Sequence, residues 1–335
     1  MDNYKDFDLI IDVRTPLEYK HSHIPHAYNM PVLEDEQFQK IGTLYHQNML
    51  QANLLGASLA CQNIAKFLQK VASRESHIPL QHKYKILIYC ARGGKRSQAL
   101  YEVLKNLNFQ VTKLQGGYKS YRTFVLETLE KPVQFITLSG PTGCGKSEIL
   151  EALKEQCIHL ESLAHHYGSS FGDIATKELG PQPSQKMFEN LIAHEIHTKP
   201  QPLFIEAESK RLGNLIVPRK IFECYQNAPK VFVNASLQSR IERIIKLYHP
   251  IPAAQFSKAM QKIQSYMNKE TFDTIHRAFE LGDLKQTTRL LITQYYDRVY
   301  KKSNFSYELH HTNLKDSIDF LQRLREKFST PPTKH

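Results

Sequence analysis

Two stretches of this chain each read as a short buried strand that breaks into a glycine-rich loop and continues as a helix. The first is Lys85-Ile86-Leu87-Ile88-Tyr89 followed by Cys90-Ala91-Arg92-Gly93-Gly94-Lys95-Arg96-Ser97. The second is Val133 to Leu138 followed by Ser139-Gly140-Pro141-Thr142-Gly143-Cys144-Gly145-Lys146-Ser147. Apolar residues recur at helical spacing after each loop: Ala99, Leu100, Val103 and Leu104 in one, Ile149, Leu150 and Leu153 in the other. A loop that enters a helix N-terminus gathers unpaired N–H groups at the positive end of the helix dipole, so both loops are suited to oxyanions.

The second loop fits G-x-x-x-x-G-K-S, the P-loop pattern, in the strand-loop-helix setting that gives the pattern meaning. Gly140, Gly143 and Gly145 let backbone N–H groups converge on a phosphate, Lys146 brings a mobile positive charge, and the Ser147 hydroxyl is a candidate magnesium ligand. The competing reading is a glycine-rich turn that binds nothing, and the complete pattern argues against it. In the first loop, Cys90 stands at the turn into a helix beside Arg92, Lys95 and Arg96, a setting that favours thiolate over thiol. A solitary cysteine is ordinarily an inert core residue, which remains the reading for Cys61, Cys144, Cys157 and Cys224. Five scattered cysteines, without metal-ligand spacing, fit a reducing compartment better than a disulfide framework.

At 335 residues the chain is long enough for two cores. Glu130-Lys131-Pro132 interrupts a helical run just before the P-loop strand, which predicts domains at 7–128 and 132–328 and a disordered tail at 329–335. Strands at Leu9 to Val13, Ile86 to Tyr89 and Val111 to Leu114 alternate with helical stretches such as Ala57 to Ala72. Further strands are expected at Phe135 to Ser139, Leu203 to Glu206 and Lys230 to Asn234, and a mostly helical remainder from Leu237 to Phe328. The fold class is therefore α/β: a parallel sheet with flanking helices, then a P-loop NTPase-like α/β domain with a helical C-terminal part. Hydrophobic residues make up 41% and charged residues 23%, no apolar run approaches bilayer length, and the polar start has no secretory core, so a cytoplasmic protein is expected. Net charge of +11 points to a polyanionic partner.

Glu206 and Glu208 follow an apolar strand, where P-loop proteins place acids that organise magnesium or water; surface pairing with Lys210 and Arg211 is the alternative. Tyr295, Tyr296, Arg298 and Lys301 mix aromatic and basic side chains, which suits unpaired bases and phosphates but equally suits a tyrosine-rich helix face turned to the core. Arg240, Arg243 and Lys246 share one helical face and read as solvated; His165 and His166 read as surface residues.

From Phe7 to Tyr121 the chain resembles a rhodanese domain: Leu9-Ile10-Ile11-Asp12-Val13-Arg14, Glu18-Tyr19, His23-Ile24-Pro25-His26-Ala27-Tyr28-Asn29, the Cys90 loop, and Leu114-Gln115-Gly116-Gly117-Tyr118. With a P-loop after it, the whole resembles the tRNA 2-selenouridine synthase family. Ile41-Gly42-Thr43-Leu44-Tyr45, Tyr167-Gly168-Ser169-Ser170-Phe171-Gly172, Pro181 to Lys186 with Phe188, and Phe204 to Gly213 with Pro218 match that family outside the two generic patterns. Ala91 stands where the family often has tryptophan, and His26 where glycine is usual; the first alters the pocket around Cys90, the second a turn.

The resemblance implies wobble-uridine modification in tRNA. Geranyl diphosphate alkylates the sulfur of 2-thiouridine, and selenophosphate then supplies the selenium that replaces it. Cys90 would be the S-selanylcysteine intermediate with Arg92 and Arg96 balancing charge, the P-loop would take the diphosphate, and Ser169 and Ser170 would belong to a substrate loop; Asp12 and Arg14 read either as a structural pair at the end of the first strand or as part of the pocket rim. The partners implied are tRNA and an enzyme that supplies selenophosphate; a monomer with no tightly bound cofactor and no membrane association is expected. Two other classes stay open: a sulfurtransferase using only the first domain, and an ATP-dependent kinase or RNA-binding regulator using mainly the second. Whether the P-loop holds geranyl diphosphate or a nucleotide, and where a geranyl chain would lie, the residues alone leave open.

Overall fold

Strands whose residues are apolar at nearly every position are buried on both faces, as a parallel sheet covered by helices requires. The computed structural model describes residues 4–168, 171, 179–300 and 304–329. The chain divides into two units, Met1–Thr128 with Glu189–His194, and Leu129–Phe188 with Glu195–His335. The short segment Glu189–His194, which lies inside the second domain along the sequence, thus groups with the first unit.

In the first unit, β1 (Leu9–Asp12), β2 (Tyr28–Asn29), β3 (Lys85–Tyr89) and β4 (Gln110–Lys113) form a parallel sheet in the order β2-β1-β3-β4. Ile11, Val13, Ile86 and Ile88 pack with Leu100 and Leu104 of the helix Lys95–Asn106. The first helix, Pro16–His21, opens on a capping box in which Thr15 and Glu18 satisfy each other's backbone N–H groups. The helix expected from Ala57 begins instead at Met49, because the Asn48 side chain accepts from the Gln51 N–H and caps it there.

The second unit carries a five-stranded parallel sheet in the order β11-β10-β5-β7-β6, with β5 (Phe135–Ser139) central, β6 (Cys157–Ile158) and β7 (Leu203–Glu206) on one side, and β10 (Lys230–Asn234) and β11 (Tyr307–His310) on the other. A two-stranded hairpin, β8 (Arg211–Leu212) and β9 (Leu215–Ile216), follows β7. The chain fills one side of β5 and then crosses to the other, so the carboxyl end of β5 lies at a topological switch point, where α/β sheets bind ligands. Ile136, Leu138, Phe204, Val231 and Val233 form the core beneath it. Beyond the sheet, helices Leu237–Tyr248, Ala253–Ile263, Lys269–Glu280 and Leu284–Leu291 enclose a second apolar cluster around Phe256, Met260, Ile263 and Ile275.

Two expectations for the C-terminal region change. Tyr307–His310 is a strand inside the stretch read as helical; only Leu309 of its four residues is buried, so this edge strand lacks the apolar run that reveals central strands. Ser329, assigned to the tail, is the last residue of the helix Leu314–Ser329; residues 330–335 lie outside the described residues.

Candidate active sites

In the first unit, β3 ends at Tyr89 and the next residue, Cys90, is only 3% exposed. Gly117 closes the loop from the other side: its φ is +59°, and a Cβ there would strike the Cys90 carbonyl and lie 2.5 Å from the Gly93 nitrogen, so both the conformation and the space require glycine. The Cys90 Sγ lies 3.2 Å from the Ser97 hydroxyl in the first turn of the helix Lys95–Asn106. Burial pushes the thiol up, but the Ser97 hydroxyl and the backbone N–H groups of Ser97, Arg92 and Gly94 outweigh it, and the net direction is down. The sulfur is thus held as an incipient anion by dipoles rather than by a neighbouring full charge.

The cations do not converge as the sequence suggests. Arg96 is ion-paired with Glu18 and lies over the Phe38 ring, 4.6 Å from its centroid. Lys95 reaches Asn53, at 3.1 Å, and Arg92 is exposed. Asp12 and Arg14 do form the expected pair: Arg14 Nε lies 3.0 Å from both carboxylate oxygens, Nη2 donates to Asp12 Oδ2 at 2.6 Å and to the Ser22 carbonyl at 2.7 Å, and the guanidinium lies over Tyr118. Both residues are buried, so losing one partner costs about 3–5 kcal/mol of stability.

In the second unit, Gly140, Gly143 and Gly145 all have positive φ. At Gly145 a Cβ would run into the His311 ring, and at Gly143 it would lie 2.9 Å from Ile244 Cδ1 and 3.0 Å from the Arg240 carbonyl. Lys146 Nζ donates to the Gly140 carbonyl at 2.8 Å. Burial works against its charge, but the Cys144 sulfur and the carboxylates of Glu208 and Glu161 more than compensate, so its pKa is raised.

Glu206 pairs in register with Leu138, which sets it beside the start of the P-loop. Its Oε1 accepts from the Glu161 N–H at 2.8 Å, whereas its Oε2 is buried without a partner. Ser147 donates to Glu161 Oε2 at 3.2 Å. Gly168 lies against the same group: a Cβ there would be 2.6 Å from Glu208 Oε2 and 3.0 Å from Glu161 Oε1. Burial first, and then mutual repulsion, raises Glu161 and Glu206, and burial also raises Glu208. His159 is pushed down to about 4 by burial and is therefore neutral. One donor atom each from His159, Glu161 and Glu206 lies within 4.8 Å of the others. The magnesium that a P-loop implies fits the oxygen donors here, the orphaned Glu206 oxygen with those of Ser147 and Glu161, and not the His159 imidazole.

Glu161, His159, Arg240 and His311 escape the sequence reading. Arg240, read as solvated, is buried: its Nε donates to the Thr142 carbonyl at 2.9 Å and its two Nη groups grip Asp297 at 3.0 and 2.6 Å. His311 bonds Ser317 at 2.7 Å and Glu148 at 3.4 Å. A signal existed for Glu161, an acid in the first helical turn after a two-residue apolar strand, and His159 stands directly before that helix; Arg240 and His311 depend on contacts distant in sequence. Of the proposed RNA-contacting residues, Tyr295 is buried in the helical core against Tyr266, which decides for the core reading at that position. Tyr296 is half-buried and packs on Tyr295, Arg298 is exposed and bonds Gln294, and Lys301 lies outside the described residues, as do Ser169 and Ser170.

A rhodanese-like domain model matches residues 1–123, and the model described as the tRNA 2-selenouridine synthase AAA domain matches residues 133–280. The tRNA 2-selenouridine synthase of Shewanella denitrificans is 31% identical over 87% of this chain and 87% of its own length. The chain belongs to the tRNA 2-selenouridine synthase family. Similar relatives of that name occur in a Sulfurovum species, 30% identical over 94% of this chain and 95% of the relative, and in Pseudomonas syringae, 35% identical over 71% and 65%. Membership makes the chain an enzyme of the transferase class, with an α/β rhodanese-like unit and an α/β P-loop unit. Among the described residues no helix is long and apolar enough to cross a membrane.

Proposed function

We propose that the protein converts 2-thiouridine at the wobble position of tRNA to 2-selenouridine in two steps, using geranyl diphosphate and then selenophosphate. In the first step the uridine sulfur attacks the allylic carbon: an S–C bond forms, the C–O bond breaks, diphosphate leaves and the N3 proton of the uridine is lost to solvent. The P-loop N–H groups and Lys146 receive the growing charge of that leaving group. Magnesium, held by Ser147, Glu161 and Glu206, would add a further positive charge there. In the second step the selenium of selenophosphate bonds to C2 and the C2–S bond breaks; water cleaves the Se–P bond, phosphate leaves, and the protons of that water go to N3 and to the departing geranyl thiol.

Cys90 carries the selenium in this reading. Attack by selenium at the selenide level closes the balance without redox change. A covalent S–Se adduct on Cys90 adds a two-electron oxidation on loading, by a disulfide-class oxidant, which a thiol reverses on discharge. The observation that carries the reading is the Cys90 sulfur, lowered toward thiolate by the Ser97 hydroxyl and loop N–H groups in a chain that also bears a complete P-loop. The family membership and the charge of +11 support tRNA as the substrate.

The test is mass analysis of nucleosides after incubating 2-thiouridine tRNA with both donors. Wild type should yield 2-selenouridine, Cys90→Ala should stop at S-geranyl-2-thiouridine, and Lys146→Ala should leave 2-thiouridine. Unaltered 2-thiouridine with wild type would overturn the reading.

A further inference from the structure

The P-loop unit contains a cleft that no part of the phosphate chemistry uses. Its walls include Ile244, Ile245, Tyr248, Phe256, Leu291 and Tyr296, from the helices Leu237–Tyr248, Ala253–Ile263 and Leu284–Leu291 and the segment after them. It encloses about 530 Å³ of atom-free space counting its open mouth, and its walls are mostly apolar side chains. A thin apolar chain suits such a space. A base with its ribose does not, because its polar edges would be buried without partners. Thr287, one of the few polar residues on the wall, already spends its hydroxyl on the Asp283 carbonyl at 2.8 Å.

Two structural links join this cleft to the phosphate site. The helix Leu237–Tyr248 touches the P-loop at Arg240, whose Nε holds the Thr142 carbonyl, and at Ile244, whose Cδ1 would lie 2.9 Å from a Cβ on Gly143. Ile244 itself lines the cleft, and Tyr248 continues that wall one helical turn further, about 6 Å on. The second rests on two described residues close in sequence: Gly168 abuts the carboxylates of Glu161 and Glu208, and Phe171 lines the cleft. Arg240 also grips Asp297, directly after the π-helical segment Ile292–Tyr296 that contributes Ile292 and Tyr296 to the wall. Segments of that kind recur at functional sites.

We propose that this cleft receives the isoprenoid tail of a prenyl diphosphate whose diphosphate is held by the P-loop. The inference rests on the reading that the P-loop substrate is a prenyl diphosphate, and it assigns the tail a place. Ile244 then stands at the junction of head and tail, and the cleft selects substrates by tail length and thickness.

The experiment measures binding of inorganic diphosphate, dimethylallyl diphosphate, geranyl diphosphate and ADP to the full chain by calorimetry, with Ile245→Phe and Thr288→Met as cleft-filling variants. For wild type, affinity should rise on the order of tenfold or more for each isoprene unit. The filled variants should lose about tenfold or more for geranyl diphosphate and keep inorganic diphosphate affinity within about twofold. Photo-crosslinking with a diazirine-tailed geranyl diphosphate gives a readout that does not depend on those variants folding. Labelling should fall on peptides carrying Ile245, Tyr248 or Phe256. If wild type binds inorganic diphosphate or ADP as tightly as geranyl diphosphate, the prenyl reading fails and the cleft assignment with it. If wild type selects the geranyl tail but both folded variants keep that selection, or the label lands elsewhere, the cleft assignment alone is overturned.

Discussion

The Cys90 loop and the P-loop have the same local architecture, a strand that ends in a glycine-rich turn and a helix, yet their electrostatics are opposite. Around Cys90 the protein prepares to hold a negative charge of its own: N–H groups and the Ser97 hydroxyl face the sulfur, while Arg96 is neutralised by Glu18. Around Lys146 the protein has gathered three carboxyl groups, Glu161, Glu206 and Glu208, all raised because ionising them together in that place is costly, and one Glu206 oxygen is unpaired. A site rich in carboxylates repels a diphosphate unless a cation comes with it. On the proposed function, the first loop serves as nucleophile or carrier and the second receives a diphosphate together with a metal ion.

This contrast can be broken by substitution. The largest effect is expected for Lys146→Ala, which should lower S-geranylation by about a thousandfold or more through loss of charge on the leaving diphosphate, while Cys90→Ala leaves that step within about twofold. Rates of geranyl transfer, measured without selenophosphate, check both. Glu206→Gln should be next, at about 10–100-fold, and the loss should be partly recovered by raising magnesium; a magnesium titration of the geranylation rate reads this. The smallest expected effect sharpens the other half. Ser97→Ala removes a donor that holds the Cys90 pKa down, so the pKa rises and the thiolate fraction at neutral pH falls. The pH profile of iodoacetamide labelling should move to higher pH, by about one unit or less. An unmoved profile would mean that the Ser97 hydroxyl does not stabilise the thiolate.

The central strands were legible because their residues are apolar at almost every position: Phe135–Ser139, Leu203–Glu206 and Lys230–Asn234 read the same in sequence and structure. The edge strand Tyr307–His310 was not, since three of its four residues stay partly or fully exposed. The site residues divide in a similar way. Cys90, Lys146 and Ser147 sit inside contiguous motifs whose spacing carries their chemistry, and Glu206 ends a readable strand. Arg240 and His311 meet the P-loop from elements about a hundred residues or more further along the chain, and nothing in their own neighbourhoods signals that. The ion pair of Arg96 was hidden for a related reason: proximity to Cys90 in sequence says nothing of Glu18, which reaches it from the first helix. Tyr295 shows the limit of composition, since an aromatic and basic mixture describes both an RNA surface and a core-facing helix.

In the proposed function the two loops perform separate steps. Supplying Lys146→Ala with tRNA that already carries S-geranyl-2-thiouridine, together with selenophosphate, bypasses the step assigned to the P-loop and isolates the one assigned to Cys90. Formation of 2-selenouridine at a rate close to wild type is the predicted result; failure of Lys146→Ala on the pre-geranylated tRNA, with its fold intact, would contradict the division.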